Sequence, residues 1–185
     1  MSQTQKPFGK FCKINFDDWE NSFFINFLNP VKILRSIYKK LSLRSSVIFF
    51  TGGGPNKATE NFSGYALSKF LYTKFSELLA AEDQKIKFAC INPGWVKTKA
   101  HDIFLKQTNL RNTPDYKKLK KKIKEGSFVN PQLTVDFFNW FYEKNNQNLS
   151  GRYYVLDYDK FYYKNFEKNL KKNINFLRFR RFEIK

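Results

Sequence analysis

Apolar residues recur at helical spacing through Phe23, Phe27, Val31, Leu34, Ile37 and Leu41, behind an acidic start at Asp17 and Asp18. Carboxylates in a first turn followed by one apolar stripe predict a long amphipathic helix, with Pro30 as the place for a kink. The period then breaks. Ser46-Val-Ile-Phe-Phe-Thr51 is a short β-rich run stopped by Gly52-Gly53-Gly54-Pro55, the pattern of a buried strand ending in a turn. Leu67, Phe70, Leu71, Phe75, Leu78 and Leu79 restore helical spacing from about Phe62 to Ala81, and Ile86–Ile91 reads as a second strand closed by Asn92-Pro93-Gly94. A polar, lysine-rich stretch from about Thr98 to Gly126 holds one short helix near Asp115–Lys124. A helix from Pro131, a loop over Asn145–Gly151 and a third strand over Arg152–Leu156 complete the order. Strand and helix alternate, which is the grammar of an α/β fold with a parallel sheet and right-handed crossovers. No internal repeat is visible.

With 185 residues, the chain is long enough for one real core. It carries 34 Lys and Arg against 16 Asp and Glu, a formal net charge of +18. Lys, Asn, Ile and Phe are all abundant, as in proteins from AT-rich genomes, so much of this charge reads as compositional drift, with nucleic-acid binding the sharper alternative. Cys12, Cys90 and the single histidine, His101, have no metal-ligand spacing, and no metal is expected. Apolar runs fall short of a membrane span and the first residues lack a signal-peptide core, so a cytoplasmic protein is expected.

The residues that carry chemistry lie on the second long helix. Tyr65 and Lys69 are four residues apart and emerge from one helical face. A free tyrosine titrates near ~10, and an ammonium beside it favours the phenolate, which suits it to general acid–base work. On its own the pair is ordinary, because a core tyrosine near a surface lysine is the commoner arrangement. Its surroundings change the reading.

An asparagine on the first helix (FFIN, Asn26), YALSK on the second, and INPGWVKT after the second strand occur in order. Together they resemble the short-chain dehydrogenase/reductase family, from about Phe16 to Asp157. The resemblance implies a doubly wound, Rossmann-like sheet, present here as about three strands, holding NAD or NADP for hydride transfer to or from a carbonyl or alcohol carbon of a small substrate. It implies that Tyr65 is the proton donor, and that Lys69 lowers its pKa and meets the nicotinamide ribose. Asn26 would hold a relay water, although a locally satisfied helix asparagine fits the residues equally well. Pro93, Gly94 and the Val96 backbone would wrap the nicotinamide, with the Thr98 hydroxyl near its carboxamide. The family's active-site serine falls on Gly52 by the commonest spacing, or on Thr51 if the loop is one residue longer. TGGGP, LSGRYYVLDYD and LRFRRFEI resemble pieces of a subgroup whose expected substrates are sugar-linked.

One family feature is missing. No glycine-rich TGxxxGxG turn, which receives the pyrophosphate, occurs in the sequence. The expectation is therefore a fragment: residues 1–159 as a partial Rossmann-like domain and 160–185 as a basic aromatic extension, with nine Lys and Arg against two Glu. Three readings follow. The chain is the catalytic part of an NAD(P)-dependent oxidoreductase, or a non-catalytic partner that pairs with itself or with a full-length homologue through its long helices. The third and least favoured is a nucleic-acid-binding module using Lys117–Lys124 and the Arg178–Arg181 cluster.

Overall fold

The computed structural model describes residues 4–52 and 58–180. Gly53, Gly54 and Pro55 of the glycine turn, and the tail from Arg181 onward, lie outside the described residues. Strands β1 (Ser46–Phe50), β2 (Lys87–Asn92) and β3 (Arg152–Val155) form one parallel sheet in the order β1-β2-β3. Phe49 stands opposite Cys90, and Cys90 opposite Tyr153. Helices α1 (Phe16–Phe23) and α2 (Asn29–Ile37) precede β1, and α3 (Ser63–Glu82) links β1 to β2. Helices α4 (Lys99–Leu105), α5 (Pro114–Glu125) and α6 (Gln132–Glu143) link β2 to β3, and α7 (Phe166–Lys172) follows.

The central strand explains its own sequence. Every residue of β2 is buried. Phe88 and Cys90 enter a cluster with Phe49, Tyr72 and Leu79, while Ala89 and Ile91 enter another with Phe137, Phe141 and Tyr154. Alternate residues thus serve opposite layers, and a strand covered on both faces has no polar side to show. This is the partial doubly wound sheet expected from the pattern.

Three features depart from the sequence reading. The first long helix is not continuous: a π-helical turn at Phe24–Leu28 separates α1 from α2. Pro30 lies four residues beyond Asn26 and gives its carbonyl no amide donor at the regular spacing, so the π-helical turn falls where the proline disturbs the helix. Helix α4 was not foreseen, because only the adjacent Ile103, Phe104 and Leu105 supply apolar character and they show no period.

The third departure lies in the tail: the residues after Asp159, expected as a basic extension, place Phe161, Phe166 and Leu170 in the cluster beneath β3. The fastener is Arg152, 2% exposed. Its guanidinium donates to the carbonyls of Asn148 at 2.5 Å, Leu170 at 3.1 Å, Ile174 at 3.4 Å and Phe176. Tyr153 N donates to Leu177 O at 2.9 Å, so the tail also lies along the outer edge of β3. Arg178 donates to Gly151 O and Ser150 O, both at 3.3 Å, and Arg180 pairs with Glu77 of α3. Two arginines assigned to a nucleic-acid cluster are therefore engaged in holding the fold. Lys87 plays a similar part, donating from the start of β2 to the Phe141, Tyr142 and Lys144 carbonyls at the end of α6.

Replacing Arg152 with Met strands several buried carbonyls, each of which costs ~1–3 kcal/mol when unpaired. The expected result is a loss of at least ~3 kcal/mol in urea denaturation, with the chain beyond Lys160 becoming the first site of limited proteolysis. An unchanged midpoint with a resistant tail would contradict this role.

Candidate active site

Helix α3 is set in place at its first turn. A Cβ at Gly64 would lie 2.5 Å from Ser22 Oγ and 3.2 Å from Trp19 Cδ1, so only glycine permits this approach of α1. Trp19 Nε1 donates to Ser63 Oγ at 3.0 Å across the same contact. With the helix so placed, Tyr65, Lys69 and Tyr72, spaced by four and three residues, share a face toward the end of β1.

Lys69 is 2% exposed, and its ammonium donates to the Phe50 carbonyl at 3.2 Å. It also lies 5.4 Å from the centre of the Tyr72 ring. Burial pulls its pKa down from 10.5 to about 8, opposed in part by the Cys90 thiol. The Tyr65 hydroxyl lies against Gly52, where an added Cβ would come within 2.9 Å of it. Burial pushes the Tyr65 phenol above its ordinary value, and Lys69 is not among the groups acting on it. The expected downward tuning of Tyr65 by Lys69 is thus not seen. The ammonium is committed to the strand, and desolvation of the phenol governs.

Thr51 and Gly52 now separate. Thr51 is buried, its amide donates to Ile91 O at 2.8 Å, and its hydroxyl turns to the Gly52 carbonyl at 3.5 Å. The position beside the Tyr65 hydroxyl belongs to Gly52, which has no side-chain donor.

Asn26 is 1% exposed and sits in the π-helical turn. Its side chain is turned to the N-terminal segment: Oδ1 accepts from Thr4 N at 3.0 Å and Nδ2 donates to Thr4 O at 2.7 Å. Its carbonyl accepts from the Tyr72 hydroxyl at 2.5 Å. Such turns leave backbone groups outside the regular ladder, and here the carbonyl is used to reach α3. Tyr72, which stacks on Phe49 at 4.8 Å, is thereby the link between Asn26 and Lys69. It was missed, although its place three residues beyond Lys69 on the same face was legible.

The turn after β2 lies at the neighbouring strand exit. Gly94 has φ +78°, and a Cβ there would come within 2.8 Å of both Asp157 and Val129. Asn92 Oδ1 accepts from Gly94 N at 2.9 Å, and Val96 N donates to Gly94 O at 3.0 Å. Pro93, Gly94 and Val96 therefore form a tight turn held by Asp157 from beyond β3. Thr98 is exposed and starts α4. Its amide donates to His101 Nδ1 at 3.3 Å, and its carbonyl accepts from His101 N at 3.0 Å. The His101 ring stacks on Trp95 with centroids 5.6 Å apart.

The structure thus brings Tyr65, Lys69, Gly52 and Thr51 to the exit of β1, and Pro93, Gly94 and Val96 to the exit of β2. Asn26 reaches them through Tyr72, and Thr98 is engaged in a helix start. A cavity of about 1000 Å³ lies elsewhere. It lies between α2 and the end of α3, near the strand starts, lined by Leu34, Phe75 and Leu79 with Asp83 at the rim. Among the described residues no helix is long and apolar enough to cross a membrane, and no group of His, Cys, Asp or Glu is placed to hold a metal.

A family model described as short chain dehydrogenase matches residues 4–109. Among solved structures, the KRED1-Pglu enzyme aligns with TM-score 0.72 and 22% identity, covering 82% of this chain and 65% of that one. A short chain dehydrogenase/reductase from Saccharomyces cerevisiae gives TM-score 0.76 and 16% identity over 84% of this chain and 63% of that one. A short chain dehydrogenase from Shigella flexneri complexed with NADP gives 0.62 and 20%, over 85% and 61%. The chain spans less than two thirds of the length of each of these structures. No curated protein matches the sequence.

The burial of Lys69 has a measurable consequence. Its folded value, about 8, lies below the ordinary 10.5, so between the two the unfolded chain holds a proton that the folded chain has released. Stability must then rise with pH across this window, by up to ~3 kcal/mol. Urea midpoints from pH 7 to 10 are expected to show this rise in the unaltered chain and to lose it in Lys69→Met. Parallel profiles for the two would contradict the assignment.

Proposed function

The chain belongs to the short chain dehydrogenase family, and from that premise we propose that it serves an NAD(P)-dependent oxidoreductase reaction interconverting a carbonyl and an alcohol. The observation that carries the reading is the convergence of the Tyr65 hydroxyl and the Lys69 ammonium on the three residues that end β1, beside the glycine turn that ends β2. A raised phenol pKa keeps Tyr65 protonated at neutral pH, the form needed to donate a proton to a carbonyl oxygen during reduction. Lys69 keeps a positive charge below about pH 8 next to that oxygen's site and steadies the negative charge that develops there.

The residues at these exits fit the nicotinamide end of a dinucleotide. Lys69 spends one ammonium donor on Phe50 and would offer the others to the ribose, and the Gly94 turn, with no room for a side chain, would present its backbone to the ring. When bound, the dinucleotide supplies or accepts the hydride. Gly52 leaves the substrate oxygen without a serine-type donor from that position, so Tyr65 and Lys69 carry its polarisation. A sugar-linked carbonyl or alcohol is the substrate class we favour, from the TGGGP and LSGR segments.

A second reading has its own observation. Leu28 of the π-helical turn, Ile33 and Ile37 of α2, and Leu67, Leu71 and Leu78 of α3, are exposed. These faces suit pairing with another copy or with a longer homologue, with the chain contributing surface. Size exclusion after co-expression separates the cases, since independent elution of the two chains ends the pairing idea.

Two outcomes are expected for the catalytic reading. With no glycine-rich phosphate turn in the sequence, NADPH fluorescence shows no saturation at micromolar chain, and clear saturation would contradict that. Carbonyl reduction is therefore assayed at millimolar NADH or NADPH. There Tyr65→Phe is expected to lower kcat/KM by ~10²–10⁴, with the nicotinamide affinity within about twofold. A Tyr65→Phe chain that reduces the same carbonyls at the original rate would overturn the role.

A further inference from the structure

The lysine-rich run of α5 resolves into positions with different employment. Lys121 pairs with Glu125 at 3.7 Å, Lys122 donates to the Ser127 carbonyl at 2.8 Å, and Lys118 lies 5.5 Å from the Trp95 ring centre. Lys117, Lys120 and Lys124 follow one another at helical spacing, and only the first two reach a cavity. Arg111, Lys117 and Lys120 line one open cavity of about 540 Å³ together with Tyr116, and no carboxylate is among its described lining residues.

The cavity has a fixed wall. Tyr116 is buried, its hydroxyl donates to the Leu105 carbonyl at 3.3 Å, and its ring packs edge-on to Phe104 at 5.7 Å. The Lys120 ammonium lies 6.0 Å from the centre of that ring. Leu119, fully buried, ties the same helix to Phe62 and Leu110, so the backbone carrying the cations does not drift. Lys117 and Lys120 are three residues apart and share a helical face, with Arg111 before the helix start. The helix N-terminus adds little here, because the Tyr116 amide is already turned to Thr113 Oγ1 at 3.4 Å.

Three cations around one cavity repel one another, and a bound anion relieves that repulsion. A guanidinium presents a planar fork of donors that matches two oxygens of a phosphate, while lysines act as point charges on the remainder. A nucleic-acid backbone would instead call for a track of cations; Lys118, Lys121 and Lys122 are turned to Trp95, Glu125 and Ser127, which leaves Lys124, off the cavity, to extend one. We propose that Arg111, Lys117 and Lys120 form a pocket for a phosphate-type oxyanion, taken as free phosphate or as the phosphomonoester of a small metabolite. This site is separate from the Tyr65 reading and does not depend on it.

Isothermal titration of the full chain at fixed ionic strength tests the pocket with three probes: inorganic phosphate, phenyl phosphate and an eight-residue oligothymidylate. Saturable binding of phosphate or phenyl phosphate at one site is expected, and the tighter of the two identifies the source. Arg111→Gln and Lys117→Gln are each expected to weaken it by roughly tenfold or more, the loss of one charge-assisted hydrogen bond. The off-cavity pair Lys121→Gln with Lys124→Gln is expected to leave it within about twofold. Both on-cavity changes are at exposed positions, and near-ultraviolet circular dichroism verifies that each variant is folded. Unsaturable heats, equal weakening by the off-cavity pair, or preference for the oligonucleotide would overturn the proposal.

Discussion

An ammonium withdrawn from water at the exit of β1 is the constraint on which the candidate site depends. Burying a lysine is unfavourable unless its charge is met or surrendered, and here both occur in part. The Phe50 carbonyl accepts one hydrogen bond, the Tyr72 ring lies alongside, and burial draws the pKa down to about 8. Holding Lys69 there requires α3 to approach the sheet closely. That approach rests on the Gly64–Ser22 contact and on the Tyr72 hydroxyl reaching the Asn26 carbonyl. The π-helical turn, the helix crossing and the strand end therefore form one connected arrangement, with Tyr65 four residues away on the same helix.

Elements governed by local pattern were legible in the sequence. All three strands, α3, α5 and α6 appear within a residue or two of the expected bounds, because their apolar spacing and glycine or proline stops are intrinsic to the chain. Features fixed by distant partners were not. Nothing in the sequence marks Lys87 or Arg152 as buried, yet each is held against carbonyls that only the tertiary fold brings near. The π-helical turn is marked only by Pro30, which withholds an amide from the Asn26 carbonyl. The tail read as a basic appendage because its charges outnumber its apolar anchors, whereas Phe161, Phe166 and Leu170 decide its place.

The site itself was legible in membership more than in wiring. Tyr65, Lys69 and the Pro93–Val96 turn are at neighbouring strand exits, as the motif spacing implied. Asn26, however, gives its side chain to Thr4, Thr98 is engaged with His101, and the residue facing the Tyr65 hydroxyl is Gly52. Lys69 serves the strand rather than the phenol. Tyr65 is a phenol that burial keeps protonated through neutrality, on the same helical face as a lysine whose pKa burial draws down to about 8.

The Lys69 ammonium, held at the end of β1, is proposed to steady the charge on the substrate oxygen as Tyr65 donates its proton. The pH profile of kcat/KM for carbonyl reduction between pH 6 and 10, at one fixed millimolar NADPH, tests this in the unaltered chain and in Lys69→Met. The rate is expected to fall as pH passes about 8 in the unaltered chain, where Lys69 loses its proton, and to stay low and flat in the variant. An unaltered chain whose rate runs level through pH 8, or a variant that matches it, would contradict the account.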